Sequence, residues 1–444
     1  MHAFKRFPSR AGRNPWFELS QYKDHRFDSI SDLKKSYDFV IVGAGFGGVM
    51  AAFRIVENDP SASVAIFDAL PVGMYSSGRN AGFVSSALIL KALVGWARFT
   101  MDDQRWLLKF NRAIVDKLSS MREKYGLKYE WRRDGMYKAV RERSNQKKLE
   151  PLARYFDELG IGYKWVEGDE LAQKLGTSFY RKALYTDENY LDNPAEFIRG
   201  LATALPENVQ VFEEQPVLEV KDGEHPEVLL PGGQVIKAGK VFLTCNEFIK
   251  ESGIKGVGNL CAIHSFGAMT RELTDEEMEI FKGVRPWGVT GIHPCSSTVR
   301  YTPGRRVFVR TDIAFATHPN VSPERITKSL DLLRPAFEKR FPTLKAVPFE
   351  YVYGGLICFT GNDRPLFGEF AKNVYAISTG DGSGVTRMAS LGQYLADYAQ
   401  GRDSEELRYI LKHYHPSWIP GEPVRTIGAT LDIAWKNFEA GSEL

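Results

Sequence analysis

Apolar and polar positions recur along this chain with two periods, and the places where the period changes divide it into parts. Residues 38–43, DFVIVG, carry an apolar run after Asp38, the pattern of a strand buried on both faces. GVMAAFRIVEND at 48–59 repeats its apolar positions at helical spacing, and SVAIFDA at 63–69 is a second buried strand. These three make a βαβ unit. The helical period holds over 87–125 and again over 144–160, with a strand-like stretch, YEWRRDGMYKAV, between them at 129–140. Asn193 before Pro194 reads as an N-cap followed by a favoured first helical residue, which predicts a helix over 193–205.

Short strands come next: VQVFEE, VLEVKDG, EVLLPGG, QVIKAG and KVFLTCN, with LPGGQ as a hairpin turn. Residues 260–320 alternate strictly enough to predict a large antiparallel sheet, and SPERITKSLDLLRPAFEKRF is an amphipathic helix whose apolar stripe suits packing on that sheet. Residues 373–400 read strand, glycine loop, helix. Strand–turn–helix modules therefore stand near both ends with an antiparallel block between them. The expected fold is mixed α/β: a Rossmann-like cofactor domain built from discontinuous segments (37–127, 186–256, 351–401), with an antiparallel-sheet substrate domain inserted into it (128–185, 257–350). Residues 1–36 lack periodicity and are expected to be an arm on the body with a partly disordered start; 402–444 form a C-terminal extension.

Composition narrows the class. The 444 residues suit more than one core, and 43% hydrophobic with 25% charged residues are globular values. The net charge of +3 gives no electrostatic reason to expect nucleic acid. No apolar run is long enough for a membrane span, and the basic start MHAFKRFPSRAGRNPW has no signal-peptide core. The four cysteines, Cys245, Cys261, Cys295 and Cys358, form no C-x-x-C pair, so no metal site is expected, and a reducing, cytoplasmic setting fits.

Between the first strand and the first helix lies Gly43-Ala44-Gly45-Phe46-Gly47-Gly48. Gly43 permits the tight turn, Gly45 lets the backbone approach a pyrophosphate, and Gly48 lets the helix pack closely on the strand. The helix N-terminus offers free N–H groups to phosphates. Asp68 ends the second strand, where an acid accepts from the hydroxyls of an adenosine ribose. This predicts a dinucleotide without choosing between FAD and NAD. SSGRNAGFVSS at 76–86 has the backbone freedom, cation and amide to line a pyrophosphate or a flavin ring, and STGDGSGV at 378–385 opens a helix towards an anionic or polar group.

In their order and spacing, GAGFGG, FDA, SGRNAG, VLEV, LTCN, the YGG segment and GDGSGV resemble the D-amino-acid oxidase-like FAD-dependent oxidoreductases over most of residues 37–400. The tail PSWIPGEPVRTIGATLDIAW and SGRNAG are similar to the gamma-glutamylputrescine oxidoreductase branch. The resemblance implies that Gly43, Gly45, Phe46, Gly47, Gly48, Asp68 and Ala69 hold the ADP half of FAD. It places Ser77, Gly78, Arg79, Asn80, Ala81 and Gly82 along the flavin and pyrophosphate. Val217 would pair its backbone with adenine, and Thr244, Cys245 and Asn246 would stand near the ADP half. Gly354 and Gly355 would lie over the flavin, followed by Thr360, Pro365 and Gly368, with Gly382, Ser383, Gly384 and Val385 covering its pyrimidine end. Tyr353 stands where the family has tryptophan, and Thr386 where sarcosine oxidases have a substrate-binding lysine. Their flavin-linking cysteine is Gly355 here, with Cys358 three positions away, so FAD is expected to be non-covalent.

A flavin needs its substrate C–H held over it and the amine neutral, so no general base is nominated. The substrate-pocket candidates are His264, Arg300, Tyr301, Arg310 and Tyr353. Alternation puts Arg300 and Arg310 on one face, where either clamps a carboxylate if it meets the cavity; a structural role suits His264. Arg132 and Arg133 read as a solvated edge. Trp418, Ile419 and Trp435 pack on the body or on another subunit. The expected activity is oxidation of the C–N bond of an amine or amino acid, giving an imine that hydrolyses, with oxygen or another acceptor reoxidising the flavin. Rival readings are an NAD-linked dehydrogenase, which leaves 76–86 and 378–385 unexplained, and a non-catalytic flavoprotein subunit.

Overall fold

The computed structural model describes residues 2–88 and 99–444. Two large sheets organise it. In the first, Ser36–Val42 pairs in parallel with Val64–Phe67 on one side and with Val235–Leu243 on the other. Val209–Phe212 extends it beyond Val64–Phe67, and Val374–Ser378 joins the end of Val235–Leu243, both in parallel. Helix Phe46–Asn58 packs against helix Gly384–Ala399 on one face of this sheet. The contact is close because both helices present glycine: a methyl on Gly392 would strike the Gly47 carbonyl. Glycines far apart in the chain thus bring the two glycine loops side by side.

The second sheet has eight strands, in the order Phe349–Phe359, Cys261–Thr270, Arg306–Phe315, Thr298–Thr302, Trp287–Gly291, Met136–Val140, Lys182–Thr186, Lys164–Glu167. It is antiparallel except between Trp287–Gly291 and Met136–Val140. Leu333 and Phe337 of helix Leu330–Arg340 are fully buried in the core of this layer, as their stripe predicts.

Several boundaries differ from expectation. Only Met136–Val140 of the 129–140 stretch is a strand: Gly135 sits at φ +74°, which ends the extended run. Arg132 and Arg133 pair with Asp134 and Asp187; the second pair is exposed, as a solvated edge requires, and Arg132 is half-buried. The helix expected over 144–160 is split into Arg143–Gln146 and Leu149–Leu159, because Pro151 is tolerated only in a first turn. The amphipathic helix is likewise two, Pro323–Lys328 and Leu330–Arg340, parted at Ser329, whose hydroxyl donates to the Ile326 carbonyl. QVIKAG and KVFLTCN are one strand, Val235–Leu243; Gly239 stays extended where a Cβ would meet the Asp38 carbonyl oxygen at 2.7 Å. Of the 87–125 helix, Met101–Lys124 is observed, opened by a capping box between Thr100 and Asp103; residues 89–98 lie outside the described residues.

The N-terminal arm carries regular structure where a partly disordered start is expected. His2–Ala3 adds an antiparallel strand at the edge of the first sheet, and Pro15–Glu18 is a short helix capped by Asn14. Trp418 and Trp435 do not pack on the body; they are 75% and 62% exposed, while Ile419 is half-buried. Among the described residues no helix is long and apolar enough to cross a membrane, no group of ligating side chains is set to hold a metal, and the four cysteines are free thiols.

Candidate functional site

Two cavities adjoin where the strand ends of the first sheet face the second, sharing Gly45, Ser76, Ser77, Thr244, Asn246 and Leu356 in their walls. The narrower one is walled by Gly43–Gly45, Asp68, Ala69, Val217 and Cys245. Gly43 takes φ +109°, the turn that only glycine makes without strain. A methyl on Gly48 would collide with the Gly43 carbonyl, so this glycine serves helix–strand packing and does not line the cavity. Asp68 Oδ2 accepts from Ala44 N–H (2.8 Å) and Oδ1 from Leu70 N–H (3.0 Å). Each oxygen keeps a further lone pair. Burial pushes the Asp68 carboxyl up to about 6, against the opposing pull of those two N–H groups.

The wider cavity has a volume of about 320 Å³. Phe46, Gly47, Thr379 and Gly382–Thr386 form one wall, and Ser77, Arg79, Asn80 and Ala81 another. The loops 76–86 and 378–385, about three hundred residues apart in sequence, therefore border one chamber. Thr360 N–H bonds the Gly380 carbonyl and its hydroxyl bonds that of Arg364, which pins the second loop. The remaining wall is the face of the second sheet. Across four strands, Tyr353, Gly267, Arg310 and Thr298 stand in one lateral row by register, and all four line the chamber.

Within that row, Arg310 Nη2 donates to Thr298 Oγ1 at 2.9 Å. Among the described residues no carboxylate lies within ion-pairing distance of it. Burial lowers its pKa from the ordinary arginine value, yet a guanidinium stays protonated in proteins. The chamber thus holds an unpaired cation.

Other candidates are placed elsewhere. Arg300 is on the same face as Arg310, as alternation requires, but it is fully buried beneath the chamber. Its Nη1 donates to the carbonyls of Ala81 (3.0 Å) and Asp192 (2.6 Å), and its guanidinium lies 5.1 Å from the Trp16 ring. Gly82, at φ +69°, has no room for a side chain against Arg300 and Asp192, so it too serves this support. Tyr301 points to the opposite face, where its ring stacks on Phe281 at 4.1 Å. His264 also faces away, its Nε2 donating to the His318 carbonyl at 2.8 Å. Gly78 packs on Gly73, and Gly354 offers its carbonyl to Arg79. Arg79 itself is a staple: Nε bonds the Met74 carbonyl, and Nη1 bonds those of Ala11 and Gly354.

Sequence reasoning missed the arm's share in the site. Trp16 Nε1 donates to the Tyr353 hydroxyl at 3.0 Å, and that hydroxyl donates to the Arg79 carbonyl at 3.2 Å. Asn14 Nδ2 donates to the Gly78 carbonyl at 2.8 Å. Asp192, fully buried beside Arg300, was missed as well; burial pushes its carboxyl up to about 8. Thr298 and Ser265 also escaped notice, for they are unremarkable until register aligns them.

The cradle fits an extended dinucleotide. One end offers the Asp68 carboxylate and a glycine turn, and the other a broad chamber between two glycine-bearing loops. A family model described as "DAO: FAD dependent oxidoreductase" matches residues 38–398. The chain is 21% identical over 437 residues to the probable oxidoreductase OrdL of Haemophilus influenzae, covering 96% of each. It is 22% identical over 430 residues to the gamma-glutamylputrescine oxidoreductase of Escherichia coli, covering 95% of this chain and 96% of that one. Among solved structures it is similar in fold to glycine oxidase from Geobacillus kaustophilus, with a TM-score of 0.71 at 15% identity, over 87% of this chain and 100% of that one.

Proposed function

The chain belongs to the FAD-dependent oxidoreductase family, and from that premise we propose that it oxidises the C–N bond of a small amine that also carries a carboxylate. The observation that carries this reading is Arg310, an unpaired cation on the chamber wall with one arm fixed by Thr298. A carboxylate accepts from the remaining N–H groups in bidentate fashion, which orients the substrate as well as binding it. When bound, FAD supplies the two-electron acceptor. The ADP half belongs with Asp68, Val217 and the Gly43–Gly45 turn, and the ring system with Asn80, Gly355 and the Gly382–Val385 loop. Ser383, Gly384 and Val385 open helix Gly384–Ala399, whose positive end suits a ligand edge that gains negative charge.

Among the described residues, the ionisable side chains lining the chamber are Arg79, Lys138, Arg310, Tyr353 and Cys358, with neither a carboxylate nor a histidine. The chamber's own chemistry supplies the neutral amine. Cations and low polarity disfavour an ammonium group and lower the substrate's pKa there. Leu356, Ile357 and Met388 exclude water from the reacting face. FAD is held without a covalent link in this reading: Cys358 Sγ lies 3.3 Å from both Glu247 Oε2 and Ser378 Oγ, and burial pushes its thiol well up, away from a reactive thiolate. Free thiols suit a reducing, cytoplasmic setting.

Anaerobic flavin reduction scanned across amino acids, N-methyl amino acids, opines and polyamines is the test. Carboxylate-bearing amines should bleach the protein-bound flavin and simple diamines should not, and acid precipitation should release all the colour. Bleaching by diamines alone would overturn the reading.

FAD affinity should also depend on pH. Ribose hydroxyls donate to ionised Asp68, so binding favours loss of its proton, and affinity should fall as pH drops below about 6, by up to roughly tenfold per unit. Asp68→Asn should bind more weakly at pH 7, by roughly 10- to 100-fold, because a hydrogen bond to a charged group contributes ~1.5–3 kcal/mol, and it should lose the pH dependence. Titration of the apoprotein with FAD at pH 5 and 7 reads both.

A further inference from the structure

Helix Val424–Ala440 sits on the body with its amphipathic pattern inverted. Its inward side carries Asn437, which donates to the Ile313 carbonyl, along with Ile433 and the fully buried Ala440. The helix end is fixed by Glu443, whose carboxylate accepts from Arg141 N–H, Glu142 N–H and Ser296 Oγ–H at 3.0–3.1 Å. Its outward side is the apolar one: Val424, Ile427, Leu431, Trp435 and Phe438 are 57–77% exposed. Among the described residues nothing covers them.

We propose that this face is the two-fold interface of a homodimer, in which the helix pairs antiparallel with its own copy across Leu431. The order of the stripe is the first argument. About Leu431, Val424 mirrors Phe438, Ile427 mirrors Trp435, and Gly428 mirrors Ala434. A two-fold axis through Leu431 sets each large side chain opposite another and each small one opposite a small one, so the patch is complementary to itself. Extent is the second argument. The stripe's five side chains present on the order of 600 Å² of apolar surface, most of what one partner gives to a standard interface. Charge is the third. Arg425 pairs with Glu422 at 2.8 Å and Lys436 with Asp432 at 2.6 Å, so the helix offers no net cationic face to an anionic lipid surface.

The holoprotein without detergent should sediment at about twice its 50.1 kDa chain mass. Leu431→Arg sets like charges against each other on the axis and should give a monomer that keeps its flavin and its turnover. Leu431→Cys tests the geometry even where that variant fails to fold. Under mild oxidation it should give a covalent dimer on non-reducing gels, since the four native cysteines are buried or half-buried. A wild-type chain that sediments as a monomer, with no cross-linking at position 431, overturns the proposal. So does a monomer that floats with phosphatidylcholine vesicles, which would assign the face to lipid.

Discussion

Gly45→Val protein should purify folded but colourless. Gly45 has φ −83° and ψ −175°, an extended conformation that valine adopts readily, so backbone strain is not the cause. Gly45 borders both cavities, and a Cβ there would stand 2.6 Å from Ser77 Oγ, at the junction where one end of the cradle opens into the other. Ser77 can turn aside; the isopropyl group still occupies the path proposed for the pyrophosphate. Visible flavin absorbance should be lost while far-ultraviolet circular dichroism is kept. Gly48→Val is the contrasting control, because its Cβ collides with the Gly43 carbonyl and should unfold the unit itself. A yellow Gly45→Val protein would show that the phosphates lie elsewhere.

The second large effect belongs to Arg310. Arg310→Met keeps the apolar stem and removes the charge. Truncating one partner of a buried charge pair costs ~2–5 kcal/mol, so kcat/KM for carboxylate-bearing amines should fall by roughly 10²- to 10³-fold. Arg310→Lys should recover part of it, as a point charge without the fork. Flavin content should be largely kept, since Arg310 stands two strands away from Gly355, the one residue of its sheet assigned to the proposed ring site. Rapid-reaction flavin reduction separates binding from the chemical step. Full activity of Arg310→Met on amino acids would reject the clamp.

What was legible in the sequence follows from which interactions are local. GAGFGG between a strand and a helix is written within a dozen residues, and so is the Asn193–Pro194 helix start, where Asn193 Oδ1 accepts from Ala195 and Glu196 N–H. The same Asn-Pro signal occurs at Asn14–Pro15 and opens the helix that carries Trp16. It passed unread because the arm around it has no period. Alternation correctly set Arg300 and Arg310 on one face, but a face says nothing about depth. Depth came from Asp192 and from the 81–82 turn closing over Arg300. Tyr301 failed for the opposite reason: its neighbour Arg300 holds the chamber side, so a period of two turns the tyrosine to the other face. The row Tyr353–Gly267–Arg310–Thr298 depends on register between strands distant in sequence, which no local pattern encodes.

The latch between Trp16 and Tyr353 has a consequence for the order of events during synthesis. Residues 11–16 leave the ribosome roughly 20–70 s before Tyr353 at ~5–20 residues per second. Through that interval the indole has no acceptor and Arg79 lacks the Gly354 carbonyl. The nascent chain therefore carries this indole without its acceptor until the last long strand arrives, and the chamber wall that Tyr353 supplies is completed late in its biogenesis.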